Sequence, residues 1–438
     1  MRRVRYPAFI AGSQRRKKKN FNFVSLFSGA GIGDYGLHLA GGVCLAACEI
    51  DTQRAAVHTA NFKKHVWGDI RKEKVKIVES LKDKNIDLII ATPPCQSFST
   101  ANSRRGLRDD AEHAKGDERN SLFFEALYII RELNPSFVLF ENVPNFLMKR
   151  IKCEEEKVTS RVHEFIEASL QDYQSWQGNI CFSKFGVPQT RKRSLAFFAR
   201  RDLKINKDQL APNNWLAKID GAPSCILEAI SDLSPLDGIS PTVARDESDP
   251  LHQVPVYSPK HYSWIAGIPA GSGKSAWENN CLNCGFSAAP IFTVHCPACL
   301  EPMKNRPHVE SKNGEIRAIK GFKTSYKRMK PNELANTITT SSGTFSSDVK
   351  LHPLQNRVLS VRECARLQTI PDSFKWPQVL EYRKAHLFRE MIGEAVPPLV
   401  TYQLGLTLQS LISLKTSCPP LQSRQAQGMS WPFEQENQ

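Results

Sequence analysis

The chain has 438 residues, with 59 Lys and Arg against 44 Asp and Glu, and so a formal net charge of +15. At 41% hydrophobic and 24% charged residues its composition is that of an ordinary globular protein, which excludes wholesale disorder, a collagen-like fibre and a coiled coil. Twelve cysteines are too few for a disulfide scaffold, the basic N-terminus carries no signal-peptide pattern, and no apolar run reaches the roughly 18 residues of a membrane span, so a reducing, cytoplasmic setting is expected.

A basic arm occupies residues 1–20. Beyond it, Phe23 to Phe27, Val43 to Ala47, Asp87 to Ala91 and Phe137 to Phe140 are short apolar runs that predict buried strands of a parallel sheet. Between the last two, Leu122, Phe123, Ala126, Ile129, Ile130 and Leu133 fall at helical spacing. Strand, helix, strand recurs, which predicts an α/β body over 21–200. From Pro212 to Pro307 prolines, glycines and polar residues are frequent and no period runs far, so a smaller irregular domain is expected as an insertion over 201–350. Ser360 and Glu363 have capping-box spacing, and Pro397 and Pro398 precede Val400, Leu404, Leu408 and Leu411. These predict closing helices of the same body over 351–416, before a polar tail over 417–438.

The first strand runs into Ser28-Gly29-Ala30-Gly31-Ile32-Gly33-Asp34-Tyr35-Gly36, a glycine turn that lets backbone approach a cofactor closely. Read alone, Gly31-x-Gly33-x-x-Gly36 with Glu49 or Asp51 about 20 residues on also satisfies a dinucleotide fingerprint, so NAD stays open on the loop by itself. The third strand delivers Thr92-Pro93-Pro94-Cys95-Gln96-Ser97 into a proline-stiffened loop. In an open parallel sheet the carboxyl ends of the strands share one crevice, so a nucleophilic Cys95 belongs beside the glycine turn.

Within the insertion, Cys281-x-x-Cys284 and Cys296-x-x-Cys299 stand eleven residues apart. Two such knuckles have the spacing of a closed, structural four-thiolate zinc site. His295 adjoins the second knuckle and is read as a bystander. Between Lys304 and Lys330 basic residues outnumber acids, with Phe322 and Tyr326 interspersed, a pattern suited to phosphate contacts.

Three further segments complete a pattern: Phe140-Glu141-Asn142-Val143-Pro144, Gln189-Thr190-Arg191-Lys192-Arg193, and Val361 to Gln368 followed by Pro371-Asp372. With the glycine turn and the Cys95 loop, in this order, the chain resembles the DNA (cytosine-5)-methyltransferases over roughly residues 22–200 and 330–410. The resemblance implies an S-adenosylmethionine-dependent methyltransferase, Rossmann-like sheet with an inserted target recognition domain. It implies that Phe27, Gly29 and Gly31 line the methionine side of the donor, that Glu49 takes its ribose and Asp69 its adenine, and that Pro94, Glu394 and Val396 complete the pocket. Glu394 departs from the asparagine usual at that place.

Cys95 is implied as the thiolate that adds to C6 of cytosine, Glu141 as a carboxyl of raised pKa on N3 and the exocyclic amine, Arg191 as the partner of O2, and Arg193 as a brace for the loop. A stacked cytosine must be flipped out of the duplex to reach them. The setting implied is a bacterial restriction-modification enzyme acting on double-stranded DNA as a monomer, nucleoid-associated and away from membranes. An RNA cytosine-5 methyltransferase and a non-catalytic zinc-dependent DNA-binding protein are the alternatives. The insertion, longer than in the RNA enzymes, and the presence of Cys95, Glu141 and Arg191 weigh against them.

Overall fold

The computed structural model describes residues 20–94, 122–153, 158–215, 224–377 and 384–415. Cys95, the basic arm over 1–19 and the tail from 416 onward lie outside the described residues.

The central sheet has seven strands: β1 (Phe21–Leu26), β2 (Gly42–Cys48), β3 (Val66–Trp67), β4 (Leu88–Ala91), β5 (Phe137–Asn142), β6 (Tyr173–Cys181) and β7 (Lys192–Arg200), in the order β3-β2-β1-β4-β5-β7-β6. The first five pair in parallel, and β7 runs antiparallel to both β5 and β6. The apolar runs read from the sequence are β1, β2, β4 and β5. These four pair in parallel as expected, and the antiparallel hairpin of β6 and β7 is added beyond them; β6 left no apolar run to read. It is a sheet-edge strand, Tyr173 to Cys181, whose mostly half-buried side chains show no clean alternation.

Helices α1 (Ile32–Leu39), α2 (Thr52–Phe62), α3 (Ile70–Leu81), α4 (Leu122–Leu133) and α5 (Val162–Ser169) accompany the strands. A further helix, α6 (Pro259–Ala266), lies in the insertion, and α7 (Val361–Leu367), α8 (Ala385–Glu394) and α9 (Pro398–Lys415) return to the body. The two-residue period of β5 sends Val138 and Phe140 to one face, where Ile77, Ile129 and Ile166 of α3, α4 and α5 cover them. Phe137 and Leu139 face the other side, under Leu37 of α1 and Leu404 and Leu408 of α9. Each such fully buried side chain contributes about 1.5–3 kcal/mol of hydrophobic stabilisation. The predicted capping box is formed at α7: Glu363 N donates to Ser360 Oγ at 3.0 Å and Ser360 N to Glu363 Oε2 at 2.7 Å.

The ends of the insertion are built into the body. Ile226, Ala229, Leu251, Ala335 and Val349 share a core with Val361 and Leu367 of α7 and Ile392 of α8. A separate core of Tyr257, Trp264, Trp277, Tyr326, Leu351 and Val358 fills its middle. Strand order reverses between β1 and β4, so their carboxyl ends open the crevice where an α/β sheet binds its ligands. Among the described residues no helix is long and apolar enough to cross a membrane.

Candidate active site

At the end of β1, Phe27, Gly29 and Gly31 have φ of 60°, 53° and 73°. Three left-handed residues within five reverse the chain before α1. Gly31 is sterically required, because a Cβ there would stand 2.7 Å from the His58 ring and 2.8 Å from Phe62. Gly36 serves packing: a Cβ would meet Pro398 O and Thr401 Oγ1 at 2.1 Å, in the contact between α1 and α9. The third glycine of the apparent dinucleotide fingerprint therefore serves the packing of α1 on α9.

Glu49, just past β2, accepts from Gly29 N at 2.9 Å and Asp51 N at 2.8 Å, and burial pushes its carboxyl pKa up. Val396 is buried against Gly33, and Glu394 Oε1 lies 3.7 Å from where a Cβ on Gly29 would be. Asp69 follows β3 and caps α3. The Arg71 guanidinium, bonded to it at 3.0 and 2.9 Å, holds its carboxyl below the usual range. Five of the expected cofactor residues, Phe27, Gly29, Gly31, Glu49 and Glu394, thus converge on one turn, Val396 backs it, and Asp69 stands at the end of the next strand but one.

Across the crevice, Thr92 Oγ1 donates to Phe27 O at 2.9 Å, which ties the loop after β4 to the glycine turn. Asn142, the last residue of β5, donates from Nδ2 to Pro93 O at 2.9 Å. The loop carrying Pro94 and leading to Cys95 is therefore moored on both sides, although Cys95 itself is not among the described residues. Glu141 is buried, and its pKa is raised by burial against the opposing pull of Arg193 and Arg191.

The two arginines lie in different surroundings. In the antiparallel pairing Leu195 lies opposite Glu141, and the two-residue period puts Arg193 on the same side. Arg193 Nε reaches Glu141 Oε1 at 3.1 Å. Arg191 is fully buried and donates to Ile338 O at 3.0 Å, Gly393 O at 3.0 Å and Ala395 O at 2.9 Å. Arg191 is tied to backbone carbonyls, and the arginine beside the carboxyl is Arg193. Gln189 of the same segment is also structural, bonding Leu367 O at 2.8 Å and Gln368 Oε1 at 2.6 Å.

Sequence reading missed Arg54. It lies in the first turn of α2 and forks onto Glu394, Nε to Oε1 at 2.6 Å and Nη2 to Oε2 at 3.1 Å, while Nη1 donates to Asp51 at 2.8 Å. The unusual carboxylate at 394 is the signal that pointed there, since a carboxylate where an amide is usual calls for a cation.

In the insertion the four cysteine sulfurs lie within 4.8 Å of one another, with Cys281 to Cys299 at 3.7 Å and Cys284 to Cys296 at 3.6 Å. A disulfide would need about 2.05 Å. Four sulfurs each about 2.3 Å from a tetrahedral zinc would be separated by roughly 3.8 Å, so the donor set fits that ion. His295 is exposed and outside the cluster. Of the two interspersed aromatics, Phe322 is 72% exposed, whereas Tyr326 is buried among Trp264, Trp277 and Phe345.

Comparison with known families finds a match to "C-5 cytosine-specific DNA methylase" over residues 21–410. The Type II methyltransferase M1.HgaI of Avibacterium volantium is 29% identical over 401 residues, covering 87% of this chain and 96% of its own length. The Type II methyltransferase M.XorII of Xanthomonas oryzae is 24% identical over 405 residues, 90% of this chain and 86% of its own. Among solved structures, a prophage-encoded E. coli protein assigned as a DNA modification methyltransferase superposes with a TM-score of 0.57 at 22% identity, over 90% of this chain and 99% of the other. That likeness concerns the fold.

Proposed function

Because the chain belongs to the C-5 cytosine-specific DNA methylase family, we propose that this DNA methyltransferase modifies C5 of one cytosine within a specific duplex sequence, as the modification partner of a bacterial restriction-modification system. The observation that carries the reading is the junction of Glu141, Arg193 and the Asn142–Pro93 hydrogen bond beside the glycine turn. A buried acid, a cation and the loop leading into Cys95 meet there.

The pocket suits S-adenosylmethionine. The left-handed turn over Phe27 to Gly31 brings bare backbone to its surface, and the Glu49 carboxylate offers acceptors for vicinal hydroxyls. When bound, the donor supplies an electrophilic methyl group on a sulfonium. The residues of the chain do the rest. Cys95 adds as thiolate to C6 of the flipped cytosine, which makes C5 electron-rich. Glu141, whose pKa burial raises, donates to N3 in its protonated form as negative charge develops there. Arg193, in the place first given to Arg191, takes O2 and holds Glu141 in position. C5 gains the methyl group and then loses its proton, and expulsion of the Cys95 thiolate restores the aromatic ring.

The four cysteines of the insertion hold one structural zinc, a closed set with no open position for catalysis. Exposed Lys304, Lys312, Arg317, Lys320 and Lys323 on this lobe neutralise phosphates and fix register, while base edges are read by other side chains. Base-resolved mapping of 5-methylcytosine after treatment of unmodified genomic DNA tests the proposal. One recurrent sequence context carrying the mark is the expected result, and transfer to tRNA but not to duplex DNA would overturn it.

A further inference from the structure

The glycine turn is an acidic place. Glu49 binds Gly29 N, Glu394 lies against the face of Gly29, and Asp51 caps the adjoining helix. The cation set among these carboxylates is Arg54. Its side chain is only 21% exposed, and its guanidinium is clamped by Glu394 on one edge and Asp51 on the other, with Glu390 3.8 Å away. A guanidinium has five N–H donors, and three are spent on Glu394 and Asp51. Among the described residues, one N–H remains without a hydrogen-bond partner on each terminal nitrogen.

The methionine end of the donor is a zwitterion. Carboxylates suit its ammonium group but repel its α-carboxylate, which needs a fixed cation. We propose that Arg54 receives the α-carboxylate of the methyl donor, and that Glu394 is a positioning residue that aims it. The proposal rests on the reading that the donor occupies the glycine turn, and it gives the departure from asparagine at 394 a reason. A rigid fork anchored at both edges loses little rotamer freedom when it engages a second carboxylate. A lysine would be a mobile point charge at the same place.

The test is direct binding to the full chain without DNA, by calorimetry, of two ligands: S-adenosylhomocysteine and its decarboxylated analogue, which keeps the ammonium group and lacks the carboxylate. Wild-type protein should prefer the carboxylate-bearing ligand by about tenfold or more, the size of a charge-assisted hydrogen bond. Arg54→Met should abolish the preference, and Arg54→Lys should keep only part of it. Glu394→Asn should reduce it, and Arg54→Met combined with Glu394→Asn should not restore it. The ratio between ligands remains readable even if a variant weakens both.

An Arg54→Met protein that retains the preference would overturn the proposal, as would a double variant that recovers it, which would reduce the pair to a tether between α2 and α8. If wild-type protein binds neither ligand, it is the placement of the donor at the glycine turn that fails.

Discussion

Arg193 Nε stands 3.1 Å from Glu141 Oε1, on two neighbouring antiparallel strands whose register forces the encounter. The pairing sets the protonation chemistry of the site. Burial raises the Glu141 pKa and the cation opposes it, so the carboxyl stays protonated to higher pH than an exposed one while remaining able to ionise.

Glu141→Gln should lower the rate of methyl transfer by 10²-fold or more, the usual scale for a lost general acid, with donor affinity within about twofold of wild type. The wild-type rate should hold below the raised pKa and fall as pH rises through it, since the donating form is the protonated one. The glutamine variant should lack that alkaline limb. Single-turnover rates across pH, with donor binding measured separately, check both statements.

Arg193 and Arg191 should separate cleanly when each is changed to alanine. Without Arg193 the fold persists and transfer collapses. Loss of Arg191 strands two buried carbonyls, Ile338 O and Gly393 O, and takes a donor from Ala395 O, which keeps Gln368 Nε2; it should cost about 3 kcal/mol of stability or more. Thermal unfolding beside transfer rates distinguishes them, and equal destabilisation by both changes would count against the assignment.

Duplex DNA with 5-fluorocytosine at the target should form a complex that survives denaturing electrophoresis, because fluorine cannot leave C5 as a proton does. Cys95→Ala should form none. Methylation by wild-type enzyme without any trapped species would exclude thiolate addition.

Purified protein should carry one zinc per chain. Cys284→Ser, or prolonged chelation, should lower metal content and weaken specific DNA binding by about tenfold or more while donor affinity stays near wild type, because the cysteines lie in the insertion and the glycine turn in the sheet body. Metal-free protein with full DNA affinity would remove zinc from the account.

Much of this site was legible from residue order because its parts are local. β1, β2, β4 and β5 are apolar runs bounded by polar turns, and the glycine turn follows β1 directly, although the groups that make Gly31 and Gly36 obligatory, His58, Phe62, Pro398 and Thr401, are remote in sequence. The roles of Arg191 and Arg193 were not legible. Two arginines two residues apart share a strand face in any sequence reading, and only the chain beyond Ile338 and Gly393 decides which of them is swallowed by backbone carbonyls. Arg54 was invisible for the same reason, its partner lying 340 residues away. Tyr326, read with Phe322 as part of one basic aromatic patch, proved to be core, a distinction that depends on the Trp264 and Trp277 rings packing on it.

Thr401 Oγ1 donates to Gly33 O at 2.6 Å and Gln409 Nε2 to Ala40 O at 2.6 Å, and these bonds seat α9, close to the end of the chain, on α1, which follows its first strand. The turn that ends β1 is thus supported by a helix 368 residues further along the sequence. A chain cut before Pro398 therefore keeps every residue of the turn and loses the helix seated on α1.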